Sequence, residues 1–160
     1  MNIPIYQADA FTDTLFGGNP AAICPLQEWL PDAIMQQIAA ENNLAETAFF
    51  VKTDKGYLLR WFTPELEIDL CGHATLASAH ILFTELGYSK PAIHFETLKA
   101  GVLTVTRDSD KYTLDFPSRP PEPVNKLPMD LINALGGKIP VEVLRSRDYV
   151  VVYETEADVR

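Results

Sequence analysis

Basic charge is what this chain most lacks. Its 13 Lys and Arg face 22 Asp and Glu, a net charge of −9, whereas phosphate backbones and anionic membrane surfaces are held by cations. Nucleic acid and membrane are therefore excluded as partners. Cysteine is also scarce. Cys24 and Cys71 are the only two and show no C-x-x-C spacing, so no disulfide framework is expected and a reducing compartment suits the chain. No apolar run approaches the roughly 18 residues of a membrane helix, and no basic segment opens the chain, so neither a span nor a signal peptide is expected. A cytoplasmic location follows. Gly17-Gly18 lacks the G-x-G-x-x-G or G-K-[ST] context of a phosphate loop, and no internal repeat is visible.

The apolar fraction, by contrast, is ample. With 47% hydrophobic and 22% charged residues over 160 positions, the chain is globular and can bury roughly 70% of its unfolded surface. Its organising stretch is Asp69-Leu70-Cys71-Gly72-His73-Ala74-Thr75 and the run that follows to Gly87. From Ala74 to Leu86 the spacing predicts a helix whose apolar residues (Ala74, Leu76, Ala77, Ala79, Ile81, Leu82, Phe83, Leu86) go most of the way round, so it is buried on nearly every side. A glycine, a thiol and an imidazole stand at its start, beside N–H groups that can bind an anion.

Strands are expected on both sides of that helix. Ile3 to Ala10 and Ala21 to Cys24 are read as strands, with a turn-rich loop between them. Pro31 can occupy the first position of a helix running to about Asn42. Thr47–Val51 and Tyr57–Thr63 form a hairpin around Asp54-Lys55-Gly56. Three more strands cover 92–97, 101–106 and 112–116, with Leu103 and Val105 on one face of the middle strand and Val102, Thr104 and Thr106 on the other. The class is α+β, a mixed or antiparallel sheet rolled around a central helix. Residues 118–128 are read as a linker, since four of the seven residues from Pro117 to Pro123 are proline and lack an N–H. Residues 129–160, a short helix stopped by Gly136-Gly137 and two strands, are too few to close a core. The chain is read as a domain over 1–117 followed by the start of an incomplete second one, as a fragment or truncated product would be.

On residue type alone, the chemistry stays open. Glu46 is either a solvated loop carboxylate or one that points into a cleft. His73 is either a helix-terminal histidine bonded to backbone or a proton-handling group. Cys71 is either a core cysteine or a reactive thiol, and Asn19 is either a turn residue or a polar group of a pocket. Cys71, His73 and His80 cluster in sequence, but the two histidines are seven positions apart, roughly 10.5 Å along a helix, too far to share a zinc ion. No metal and no cofactor are expected.

Five ordered motifs then carry a resemblance: Asp9-Ala10-Phe11 with Gly17-Gly18-Asn19-Pro20-Ala21-Ala22, Asn43-Leu44-Ala45-Glu46-Thr47-Ala48-Phe49, Arg60-Trp61-Phe62-Thr63-Pro64, and Cys71-Gly72-His73-Ala74-Thr75. Over about residues 1–120 the chain resembles the PhzF (phenazine-biosynthesis-like) isomerase family. The resemblance implies a diaminopimelate-epimerase-like fold of two related domains, each a sheet rolled around a helix, with the active site between them. It implies a cofactor-independent isomerase acting by proton transfer on a small carboxylate metabolite, as a possible homodimer. Glu46 becomes the general acid/base and His73 its partner. Asn19, Cys71, Gly72, Ala74 and Thr75 become substrate-binding positions, the helix N–H groups holding a carboxylate or oxyanion. Cys71 also aligns with a catalytic thiol of the related epimerases, so an epimerase or racemase using Cys71 is the alternative within enzymes. A non-catalytic binding or assembly module is the alternative outside them.

Overall fold

Residue period separates the elements of this chain. The computed structural model describes residues 2–160, in two compact units, one running through Pro117 and the other Ser118–Arg160.

In the first unit the strands are β1 (Tyr6–Ala10), β2 (Asn19–Leu26), β3 (Glu46–Thr53), β4 (Gly56–Phe62), β5 (Glu67–Ile68), β6 (Ala92–Thr97), β7 (Val102–Asp108) and β8 (Lys111–Asp115), and the helices are α1 (Asp32–Asn42) and α2 (Gly72–Thr84). The strands form one sheet in the order β1-β2-β3-β4-β6-β7-β8, with β5 paired to β4. Pairing is mixed: β2–β3 and β4–β6 run parallel, the other neighbours antiparallel.

Alternation along the strands builds two apolar layers. Ala21 and Ile23 of β2, Ala48 and Phe50 of β3 and Leu59 and Trp61 of β4 share a cluster with Ala74, Ala77, Leu82 and other residues of α2. The intervening Cys24, Phe49 and Phe62 pack instead with Met35 and Ala39 of α1. Thus α2 lies against one face and α1 against the other. Because α2 touches β1, β2, β3 and β8, strands from both ends of the sheet reach one helix, and the sheet curls around it. Burial on that scale is worth roughly 1.5–3 kcal/mol for each large side chain such as Leu82. The buried hydroxyls of α2 are satisfied within the helix, Thr75 donating to Cys71 O at 2.6 Å and Ser78 to Ala74 O at 2.7 Å.

Arg60 ties the α1 layer together. Its guanidinium makes a two-pronged contact with Glu67 on β5 at 2.7 and 2.8 Å and another with Asp32 in the first turn of α1 at 2.8 Å. It also lies 5.3 Å from the centre of the Trp29 ring and 5.2 Å from that of Phe62, so the planar cation is used for both charge and stacking.

The expected elements recur with shifted ends. The central helix runs Gly72–Thr84 and Leu86 lies beyond it, 40% exposed. The first strand begins at Tyr6, not Ile3, and Pro31 is the N-cap of α1, one position outside the helix. The two-residue β5 carries no period to read and was not anticipated.

In the second unit, β9 (Glu122–Pro123), β10 (Glu142–Arg145) and β11 (Tyr149–Val152) form a sheet in the order β11-β10-β9, with α3 (Met129–Ala134) and a single 3-10 turn (Glu156–Asp158). Part of the stretch expected as linker therefore forms a strand. It is an edge strand, where a proline costs no ladder bond. Lys138 pairs with Asp158, and Ile132, Pro140 and Val143 are buried.

Candidate active site

Glu46 is placed by the way α1 ends. Asn43 takes a left-handed conformation (φ 48°, ψ 37°) and its N–H closes on Ala39 O, the usual way for a helix to stop on Asn. Asn42 Nδ2 donates to Thr47 Oγ1 at 3.1 Å, which pins the turn to the strand that follows. Glu46 then opens β3 on the face that Ala48 and Phe50 turn toward α2.

His73 reaches the same place from α2. Its Nε2 lies 3.1 Å from Glu46 Oε2, with the two side chains 9% and 17% exposed. This is an ion-pair approach and not an aligned hydrogen bond, so the buried Nε2 has no aligned hydrogen-bond partner. The Cys71 sulfur meets the other ring nitrogen, Nδ1, at 3.5 Å. A carboxylate oxygen of Glu46, the Cys71 sulfur and a His73 nitrogen all fall within 4.8 Å of one another. Burial pushes the Cys71 thiol up to about 12, with the Glu46 charge adding to the shift and the backbone N–H groups of Ala74 and His73 opposing it. At neutral pH this sulfur is a thiol, a poor nucleophile and a poor base.

The other expected positions divide. Asn19 stands at the start of β2, two residues before Ala21, whose register partner is Glu46, so it shares the sheet end and face of the carboxylate. Gly72 has room beside it: a Cβ there would meet only the Phe116 ring, at 3.9 Å. Ala74 and Thr75 are fully buried and the Thr75 hydroxyl is committed to Cys71 O, which leaves their backbone rather than their side chains for a ligand. His80 does not join the cluster; about two turns further down α2 than His73, its Nδ1 lies 3.2 Å from Tyr112 Oη.

Two features were not anticipated. Trp61, on the α2-facing side of β4, buries its indole Nε1 without a hydrogen-bond partner; its place inside the Arg60-Trp61-Phe62 motif was the available signal. A cleft of about 630 Å³ runs along α2 between β1 and β8, lined by residues such as Tyr6, Ala8, Leu76, His80 and Tyr112. It contains none of Glu46, Cys71 and His73. It is the gap where the ends of the curled sheet fail to pair, whereas the converging polar groups lie at the start of α2.

A family model described as phenazine biosynthesis-like protein, PhzC-PhzF, matches residues 8–145. An uncharacterized isomerase of Pseudomonas aeruginosa is 51% identical over 156 residues, which cover 98% of this chain and 59% of that protein. The crystal structure of a PhzF-family phenazine biosynthesis protein from Enterococcus faecalis is similar with a TM-score of 0.86 and 50% identity, over 99% of this chain and 60% of that one. The chain thus spans less than two thirds of either relative. A predicted epimerase of Pseudomonas aeruginosa is similar with a TM-score of 0.58 at 24% identity, over 74% of this chain and 46% of its own, a likeness of fold alone, and it agrees with the epimerase-like architecture. A family match over most of the chain, with relatives near half identity along nearly all of it, makes this chain a member of the PhzC-PhzF, phenazine biosynthesis-like family.

Proposed function

We propose that the protein of which this chain is part is a cofactor-independent isomerase that moves a proton within a small carboxylate-bearing metabolite, with Glu46 as general acid/base and His73 as its partner. The observation that carries this is the 3.1 Å approach of a mostly buried carboxylate to a buried imidazole nitrogen lacking an aligned hydrogen bond. The names of three bacterial relatives, each an uncharacterized isomerase, support the reaction class.

The step balances without a redox partner. Glu46 takes a proton from one carbon of the substrate, the electron pair passes into a neighbouring π system, and the same proton or a solvent one is returned at another carbon. His73 beside it holds the carboxyl in position and can hydrogen-bond it in either state. The backbone N–H groups opening α2, next to the free space at Gly72, suit the substrate's carboxylate. Cys71 as the base is the weaker reading, because its buried thiol holds its proton up to about 12.

The test is solvent deuterium uptake by a panel of small carboxylic acids, read by mass spectrometry on the protein as its gene encodes it. Glu46→Gln is expected to lower uptake by about 10²- to 10⁴-fold with the fold unchanged by circular dichroism, and Cys71→Ala is expected to keep most of it. The reverse pattern would transfer the chemistry to the thiol.

A further inference from the structure

The isomerase reading gives Glu46 and His73 their tasks and leaves Cys71, buried against both, without one. Sequence spacing grouped that thiol with His73 and His80, an arrangement no ion could join. The folded chain replaces His80 by Glu46, brought from the start of β3, and the three donor atoms stand within 4.8 Å of one another. His73 Nε2 lies 3.1 Å from Glu46 Oε2, and Nδ1 of the same ring lies 3.5 Å from the Cys71 sulfur. The Nε2 atom is buried and lacks an aligned hydrogen bond, as a nitrogen free to ligate would.

We propose that Glu46, Cys71 and His73 form a binding site for a thiophilic divalent cation of the zinc class. Zinc takes sulfur at about 2.3 Å, imidazole nitrogen at about 2.0–2.1 Å and carboxylate oxygen at about 2.0–2.2 Å, so tetrahedral ligands stand roughly 3.3–3.6 Å apart. The Glu46–His73 and Cys71–His73 contacts are both near that spacing, and because they lie on different ring nitrogens one ion joins all three donors through a side-chain rotation of Cys71 or His73. Three protein ligands leave the fourth position to water or to a substrate oxygen. The donor set, one sulfur, one imidazole and one carboxylate, selects zinc or cadmium over magnesium and calcium, which want oxygen ligands. Binding replaces the thiol proton: the S–H bond breaks, the sulfur lone pair goes to the metal and one proton goes to solvent. No electron is transferred.

Occupancy of the site ties up the lone pairs with which Glu46 and His73 would handle a proton. Inhibition of turnover by the ion therefore rests on the role proposed above for Glu46; binding of the ion does not.

The test titrates Cd²⁺ into the 160-residue chain and follows the ultraviolet thiolate-to-cadmium charge-transfer band, with Zn²⁺ binding measured by calorimetry. About one equivalent is expected to saturate the band, Mg²⁺ is expected to give none, and Cys24→Ala is expected to leave the band intact. Cys71→Ala should abolish the band, and Glu46→Gln should weaken Zn²⁺ binding about tenfold or more. A wild-type chain without a band, a band that survives Cys71→Ala, or Zn²⁺ affinity untouched by Glu46→Gln overturns the proposal. X-ray absorption on the zinc-loaded wild-type chain depends on no variant: one sulfur neighbour with nitrogen or oxygen neighbours supports the site, and no sulfur neighbour refutes it. Both readouts need no turnover, so loss of this site and loss of the isomerase reading would be seen separately.

Discussion

Gly56 shows how a single missing methyl group decides how closely two neighbouring strands can lie. It opens β4 with φ 151°, and a Cβ on it would run into the carbonyl oxygen of His94 on the neighbouring β6. Backbone on one side and backbone on the other leave nothing flexible to give way. Gly56→Ala is therefore expected to lower stability by about 1–3 kcal/mol, seen as a drop in urea midpoint at unchanged m-value; an unchanged midpoint would show that the strands part easily. Cys24 makes a pH-dependent contribution. Burial among Met35, Phe49 and Phe62 pushes its thiol from 9.0 up to about 12. The folded chain thus keeps a proton that the unfolded chain releases above about pH 9, so this residue's contribution is intact below that pH and declines as pH rises toward about 12. Wild type should lose more stability than Cys24→Ala across that window when urea midpoints are compared, and parallel curves would contradict the burial. Neither effect involves the candidate site, which makes both useful measures of the fold alone.

At the scale of elements, the two helices are opposite cases. Nine residues of α2 are buried against two of α1, so α2 is set by the core and α1 by one stripe and the Arg60 contacts. Leu82→Ala in α2 is expected to cost about 2–5 kcal/mol through the cavity it leaves, while Gln37→Ala on the exposed side of α1 should stay within about 0.5 kcal/mol; comparable losses from both would remove the distinction between a core helix and a surface helix. This contrast was legible in the sequence, because the apolar positions of the run from Ala74 encircle the helix and those around Ile34, Met35 and Ile38 do not. The strands were legible where they alternate, as in β7, where Leu103 and Val105 are fully buried and Val102 is 61% exposed. Strand ends and the two-residue β5 were not, since pairing with β4 and the Arg60–Glu67 contact decide them, and neither leaves a local pattern. The site was legible residue by residue only through the resemblance. What spacing could not supply was the meeting itself: Glu46 and Cys71 are 25 positions apart, and only parallel β2–β3 pairing with α2 laid across it brings them together.

For the whole molecule, the boundary near Pro117 matters most. Both large apolar clusters lie before it, and the unit after it buries little beyond Ile132 and Val143. A chain ending at Pro117 is accordingly expected to unfold in one cooperative transition and to keep its aromatic circular dichroism, whereas a molten profile would show that residues beyond Pro117 complete the core. Among the described residues no helix is long and apolar enough to cross a membrane. The central claim is that a carboxylate from β3 and an imidazole from α2 act as one device. A double-mutant cycle on solvent deuterium exchange tests it most directly, with Glu46→Gln, His73→Gln and the pair. Residues that act as a unit are non-additive, so the account predicts a double variant about as slow as the slower single one; losses that multiply would show two groups working apart and contradict it.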